Sequence, residues 1–353
     1  MVKVLDRYVF SEGLKYFTLS LLTFLTLFAI IDMVSNLDIF MKLGFKAGIT
    51  YVLGRFPLYG VRVIPIAVLL SAMITLSRFS STSELIVVKA LGISIYRFSL
   101  PLMALALIAS LLSLALQEKA VPSGLKKVKE VEAALGERRG EGAPVNGVWL
   151  KSGRERFIFF WKFLPSKQEG ERITVLKVEG VKPVERIDAL RGVYEGGGRW
   201  KLEKGFVREL SSLKSSEFKV KRVELGITPK ELLFSSVSPE SMGLLELFLT
   251  VKRLSKIGYE TNYLSLELYS RLALSLLPLV VVIIGIPFGV YNPRNRKGYT
   301  LLFAALLIVS MWVVISLFLS LGKSGVLPPS YAAFAPLFMF GAAGLILLGR
   351  VET

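Results

Sequence analysis

The sequence predicts a membrane protein with six spanning α-helices, three on each side of an inserted β-domain. Three observations predict it: long charge-free apolar runs, a mean hydropathy of +0.57, and a central stretch in which charge is concentrated. A spanning helix needs roughly 20 mostly apolar residues. Residues 98–117, 272–293, 298–322 and 324–349 meet that length, and residues 16–31 and 63–77 reach it with flanking apolar residues. The first run has no small-residue cleavage site, so it is expected to stay as a helix rather than leave as a signal peptide.

Lys and Arg in short loops set orientation. With the N-terminus in the cytoplasm, ten such residues fall on that side, Arg294 and Arg296 among them, against Lys42, Lys46 and Lys323 on the other. Both termini are then cytoplasmic and the middle of the chain lies outside.

Residues 118–240 carry 25 basic and 18 acidic side chains, which marks a water-facing insert. Short alternating runs at 148–151, 156–162, 173–179, 186–191, 199–203 and 218–225 read as strands, with Gly196-Gly197-Gly198 as a hairpin turn. Several short strands without helical breaks suggest a β-sandwich or jelly roll. Beyond them Leu244, Leu247, Val251 and Leu254 recur at helical spacing until Gly258, which predicts an amphipathic helix at the outer membrane face. The expected organisation is 1–117 with three spanning helices, 118–240 as the β-domain, and 241–353 with the interfacial helix and three more spans.

Composition removes several functions. With no Cys and no His there is no cysteine nucleophile, disulfide framework, structural zinc site or Ser-His-Asp triad. A net charge of +17 often marks a nucleic-acid partner. In a membrane chain the same charge sets topology and meets anionic lipid, so no nucleic acid is expected. Serines and lysines are abundant, but no pair has the spacing of a Ser-Lys hydrolase.

Two constellations remain. Between the second and third spans, Ser81 and Glu84 fit a capping box and Gly92 fits a helix stop. The helix between them, 81–91, is too short to span. Leu85, Val88 and Leu91 form an apolar face, with Glu84 and Lys89 polar. Such a helix either docks into a soluble partner or rests on headgroups. No G-x-x-x-x-G-K-[ST] accompanies it, so the chain has no ATPase of its own and is expected to bind no cofactor.

The second constellation is basic. Arg55 and Arg62 share one face of the second span. Arg62 lies 16 residues from Arg78, about 24 Å along a helix, near the outer edge of the hydrocarbon. Arg271 begins the fourth span at the same level. These arginines either hold the phosphates of an anionic lipid or snorkel to the interface, and Asp32 is a candidate counter-ion.

The order of these features is similar to one family. The carrying segments are Leu5-Asp-Arg-Tyr8, Ser83-Glu-Leu-Ile-Val-Val88 with Ala90-Leu-Gly92, Gly147-Val-Trp-Leu150, Ala189-Leu-Arg-Gly-Val-Tyr-Glu195, Leu225-Gly-Ile-Thr-Pro-Lys-Glu-Leu232 and Glu267-Leu-Tyr-Ser-Arg-Leu272. Over essentially its whole length the chain resembles the LptF/LptG permeases, membrane subunits of the lipopolysaccharide export ABC transporter. The resemblance implies a heterodimer of an F-like and a G-like subunit in the bacterial inner membrane. It sits on two copies of a cytoplasmic ATPase, which holds ATP and Mg²⁺. A periplasmic β-jelly-roll receives lipopolysaccharide and passes it to a periplasmic bridge protein, with help from a single-span accessory subunit. The opening Leu-Asp-Arg-Tyr is closer to the G type. Ser83, Glu84, Leu85, Val88, Lys89 and Leu91 match the ATPase-coupling helix. Family members often carry basic residues on the outer part of the first helix. Here that stretch is Ile31-Asp-Met-Val-Ser-Asn-Leu37, so the expected headgroup contacts are Lys42, Lys46, Arg55, Arg62 and Arg271. Trp149, Phe159, Tyr194 and Trp200 are the expected lipid path in the β-domain. The alternative reading is a membrane-anchored envelope scaffold whose β-domain docks other proteins without moving lipid.

Overall fold

A computed structural model describes residues 2–134, 145–152, 155–164, 167–179, 182–210, 214–229, 239–256, 261–290 and 297–351. Gly258, Arg294, Arg296 and the 230–232 end of one motif lie outside them. The helices are α1 (Val2–Ser35), α2 (Leu37–Leu43), α3 (Phe45–Ser81), α4 (Glu84–Ala90), α5 (Ile95–Ala115), α6 (Val121–Ala134), α7 (Leu244–Lys256), α8 (Asn262–Val290), α9 (Lys297–Lys323) and α10 (Pro329–Gly349). Among the described residues six stretches are long and apolar enough to cross a membrane: Val4–Ser35, Phe45–Ser81, Ile95–Ala134, Asn262–Val290, Thr300–Lys323 and Pro329–Gly349.

The third of these does not end at residue 117. It continues through one π-turn, Leu116–Ala120, into α6. Charge from Glu118 onward looks like the start of a soluble insert. Val121, Leu125 and Val128 nevertheless recur on one buried face, which keeps the segment helical and docked.

Contacts divide the chain into two compact units. The first comprises Met1–Val128, Gly243–Leu245 and Asn262–Thr353, and α3 is its centre. That helix is apolar on all sides, as a helix surrounded by others must be, and nearly every residue from Val61 to Thr75 is buried. α8 lies against it through Gly285 and Gly289; a Cβ on Gly289 would sit 2.8 Å from Leu76 Cβ. α1, α9 and α10 are as apolar as α3 yet leave most of their spanning residues unburied. In water such surface would be untenable, and in lipid it is the expected outer face.

The second unit comprises Lys129–Met242 and Glu246–Thr261. It holds one antiparallel sheet in sequential order: β1 (Val145–Ser152), β2 (Arg156–Leu164), β3 (Glu169–Glu179), β4 (Lys182–Gly196), β5 (Arg199–Glu209) and β6 (Lys214–Glu224). The six predicted strands fall on these six, and the β4–β5 turn uses Gly197 and Gly198 at positive φ. One face of the sheet is a core built on Ile158, Phe160, Phe163, Ile173, Trp200 and Leu202. The sheet curls, so that Ser152 at the end of β1 donates to the Leu225 carbonyl just past β6, and Arg156 donates to the Glu224 carbonyl at 2.7 Å.

A crease crosses all six strands. The register pairs the residues on either side of one row but skips the row itself: Gly147, Trp161, Arg172, Leu190, Lys204 and Lys219. Three of these six have left-handed backbone, Gly147 (φ 68°), Arg172 (φ 49°) and Lys204 (φ 51°), and they sit on β1, β3 and β5. At this row the alternation of faces changes phase. Inward positions step by two up to it and by three across it: Phe160 to Phe163, Gly170 to Ile173, Ala189 to Gly192, Leu202 to Gly205. A strand that places two successive residues outward bends at that point.

Candidate functional site

The short helix α4 lies between the end of α3 and the start of α5. Its N-terminus is not the predicted capping box. Ser81 still belongs to α3 and donates its hydroxyl to the Arg78 carbonyl (2.8 Å). Ser83 takes the capping position with left-handed backbone (φ 63°) and without a side-chain capping hydrogen bond. Glu84 instead accepts from the Thr82 hydroxyl at 2.8 Å. The helix ends at Gly92 (φ 74°), as predicted, and Ser94 then caps α5 by accepting from the Arg97 amide.

Leu85 and Val88 are buried in the membrane unit's core with Phe79, Ile95 and Phe98. Leu91 does not join them; it is exposed together with Ile86 and Val87. The reason is arithmetic. Four apolar residues in succession cannot all face inward on a helix, so burying positions 85 and 88 turns 86 and 87 outward. That exposed triplet is the feature the sequence reading missed, and the run Leu-Ile-Val-Val was its signal. Lys89 and Glu84 are half-buried beside it.

Both flanks of α4 are tied to α1. Arg78, near the end of α3, pairs with Glu12, and Arg97, in the first turn of α5, pairs with Asp6 at 2.6 Å. Tyr8, Phe79 and Phe98 stack edge-to-face between these two pairs. Ser71, two turns before Arg78 on α3, donates to the Gly13 carbonyl at 2.6 Å.

The basic residues divide into two groups. Arg55 is not free for a headgroup. It donates to Asp32 Oδ1 at 2.7 Å and lies over the Tyr51 ring, while Asn36 also donates to Asp32 and accepts from Tyr51. Arg271 is buried and bound to Glu267 at 2.8 Å. Its carbonyl accepts from Gln117 (3.0 Å), the residue the π-turn directs inward, which also donates to Ser275. A cation in apolar surroundings requires a counter-ion, and for both the half-buried Arg55 and the buried Arg271 the fold supplies it. Arg62, Lys42 and Lys46 are exposed.

The four β-domain aromatics do not share one surface. Trp149 and Phe159 are cross-strand partners with ring centroids 4.8 Å apart, on the outward face. Tyr194 and Trp200 are also partners, but on the inward face. Trp200 is fully buried among Phe160 and Phe163, and its indole N–H donates to the Ile227 carbonyl at 2.8 Å. It is a core residue.

Six spanning-length helices in two sequence groups of three, with a short helix pinned inside the first group and an antiparallel β-domain between the groups, define a multi-pass membrane protein. Among the described residues no cluster of His, Cys, Asp or Glu could hold a metal ion. The chain belongs to the family described as lipopolysaccharide export system permease LptF/LptG, which it matches over residues 7–350. It is 22% identical over 305 residues to the lipopolysaccharide export system permease protein LptG of Escherichia coli (strain K12), covering 82% of each chain. It is 24% identical over 327 residues to an uncharacterized protein of Aquifex aeolicus (strain VF5), covering 88% of each. It is therefore a permease-family membrane subunit rather than an enzyme.

Proposed function

We propose that this chain is a transmembrane subunit, of the G type, that extracts lipopolysaccharide from the inner membrane using energy from a separate cytoplasmic ATPase. The observation that carries the reading is α4. Its inner side, Leu85 and Val88, is locked into the helical core, and its outer side presents Ile86, Val87 and Leu91 to a partner. The ion pairs at Arg78 and Arg97 lie on its two flanks and both end on α1. A displacement of α4 is therefore transmitted to α1, whose outward surface stays apolar and uncovered. This supports α1 and α9 as the faces turned toward a homologous second permease, with two ATPase copies holding ATP and Mg²⁺ below. The periplasmic bridge would receive lipid from the β-domain with help from the single-span accessory subunit. Arg62 and Lys46, exposed on α3, and Lys42, exposed on α2, are proposed to meet lipid phosphate.

The test is co-purification with native partners. Val87→Glu and Glu84→Arg are expected to release the ATPase while the permease stays folded and membrane-inserted. Retained ATPase and unchanged lipid-coupled hydrolysis in both variants would remove α4 as the coupling element.

A further inference from the structure

The crease in the β-sheet carries charge where the fold asks for none. At a left-handed position glycine bears no Cβ penalty, and β1 uses Gly147 there. In the same row β3 and β5 use Arg172 and Lys204, the backbone conformation least suited to them. Folding gives no reason for that choice. A cavity of about 820 Å³ lies along the outward side of the crease, within the size range of small-ligand sites. Arg172, Lys204 and Lys219 line it, and so do Trp161, Leu190 and Phe206, all three of them exposed.

The three cations have no hydrogen bond or salt bridge among the described residues. The carboxylates nearby are mostly committed elsewhere. Asp188 is held by Arg186 at 2.8 Å and by the Thr174 hydroxyl. Glu203, next to Lys204, is hydrogen-bonded by Lys201, which keeps its carboxyl below the usual range. Glu217 is the one lining carboxylate without such a partner among the described residues. The groove therefore presents net positive charge beside an apolar floor, and does so on the face opposite the packed core of Phe160, Phe163 and Trp200.

We propose that this crease binds a single-chain phosphate-headed lipid. Arg172, Lys204 and Lys219 hold the head, and the chain lies over Trp161, Leu190 and Phe206. Guanidinium and ammonium groups match a phosphate's acceptor oxygens, and the adjacent aromatic and aliphatic surface matches an acyl chain. The site uses neither α4 nor the inward face of the sheet, so its test is separate from that of lipopolysaccharide export, although Phe159, expected in the lipid path, also lines the cavity.

The chain has no cysteine, so one label can be placed cleanly. The full-length protein in phosphatidylcholine nanodiscs carries a polarity-sensitive fluorophore at Leu190→Cys, with a second preparation labelled at Arg208→Cys, away from the cavity, to report bulk partitioning. Dodecyl phosphate is expected to give a saturable blue shift at position 190 only, weakened by salt. Dodecanol and inorganic phosphate should each need about tenfold or more higher concentration, since each lacks half of the recognition. Arg172→Gly combined with Lys204→Gly keeps the left-handed backbone and removes two charges, and should raise half-saturation by about tenfold or more. Lys219→Ala, on a strand with ordinary backbone, checks the same result in an independently folded variant. The proposal is overturned if dodecanol matches dodecyl phosphate, if inorganic phosphate alone matches it, if position 208 responds equally, or if the charge-removing variants bind as the parent does. An ATPase-coupled export assay reads the other proposal separately.

Discussion

Two backbones approach closely in the helical unit at Gly54 of α3 and Gly124 of α6, and the contact makes a graded prediction. A Cβ on Gly124 would lie 2.1 Å from the Gly54 carbonyl oxygen. An unstrained carbon–oxygen contact is near 3.3–3.6 Å, so Gly124→Ala must part the two helices by roughly 1 Å. Both colliding groups are main chain, so no rotamer change relieves them, and the cost belongs at the upper end of overpacking, about 3 kcal/mol. Alanine returns about 1 kcal/mol through helix propensity, leaving a net loss of about 2 kcal/mol. At Gly54 the added Cβ meets the Gly124 carbonyl oxygen and Val128 Cγ2, both at 2.8 Å; the valine can yield and the carbonyl cannot, but the overlap with that oxygen is smaller than at Gly124. Gly54→Ala should therefore come out near neutral to about 1 kcal/mol destabilising. At Gly60 the nearest atom is Leu116 Cδ1 at 3.6 Å, an ordinary contact, so Gly60→Ala should be stabilising by about 1 kcal/mol. Reversible unfolding of the full chain in mixed micelles, with SDS as denaturant, ranks the three. If Gly124→Ala were as stable as Gly60→Ala, the α3–α6 crossing would not be the backbone contact described.

Other perturbations have similarly definite outcomes. Leu85→Ala should destabilise by roughly 2–5 kcal/mol in the same unfolding assay, because α4 is held by its buried side, while Val87→Ala should be nearly silent there. Asp32→Ala strands Arg55; a fully buried pair costs about 3–5 kcal/mol to break, and with Arg55 31% exposed we expect about 1–3 kcal/mol, recovered in part by Asp32→Ala with Arg55→Met. Arg172→Gly and Lys204→Gly should each raise the β-domain's thermal stability by about 1 kcal/mol, because glycine removes the left-handed penalty; a loss of stability would mean the crease needs those side chains to fold. Swapping charges at Glu12 and Arg78 together should retain more lipid-coupled ATP hydrolysis than either single reversal, read in the complex with its native partners, if that pair couples α4 to α1.

What was legible in the sequence follows from how each feature is encoded. Spanning helices are one-dimensional: an uncharged run such as 98–117 declares itself without knowledge of any neighbour, and all six declared themselves. Strands in the charged insert were legible for a similar reason, since alternation within a strand is local. Partners were not. Arg55 and Arg271 stand out as charges in apolar surroundings, but a helix position does not say whether a lipid or Asp32 and Glu267 answer the charge. The extension of the third helix to Ala134 is hidden because the charge density from Glu118 onward masks the spacing of Val121, Leu125 and Val128.

The crease is the most instructive failure. Strict alternation along β5 puts Trp200, Leu202, Lys204 and Phe206 on one face. The structure puts Trp200 and Leu202 with Gly205 and Val207 instead, and turns Phe206 outward. Nothing in a pattern of apolar and polar residues signals a left-handed lysine, because lysine is a poor choice for that backbone. Gly205 is the nearest hint: a Cβ there would meet the Asp188 carbonyl oxygen at 2.2 Å. A sequence that places Arg172 and Lys204 where Gly147 shows the easier solution is locally frustrated along one line. Frustration of this kind persists where the side chain contributes something that folding does not use. The same row lines a groove of about 820 Å³ in the β-domain, so both observations select one surface.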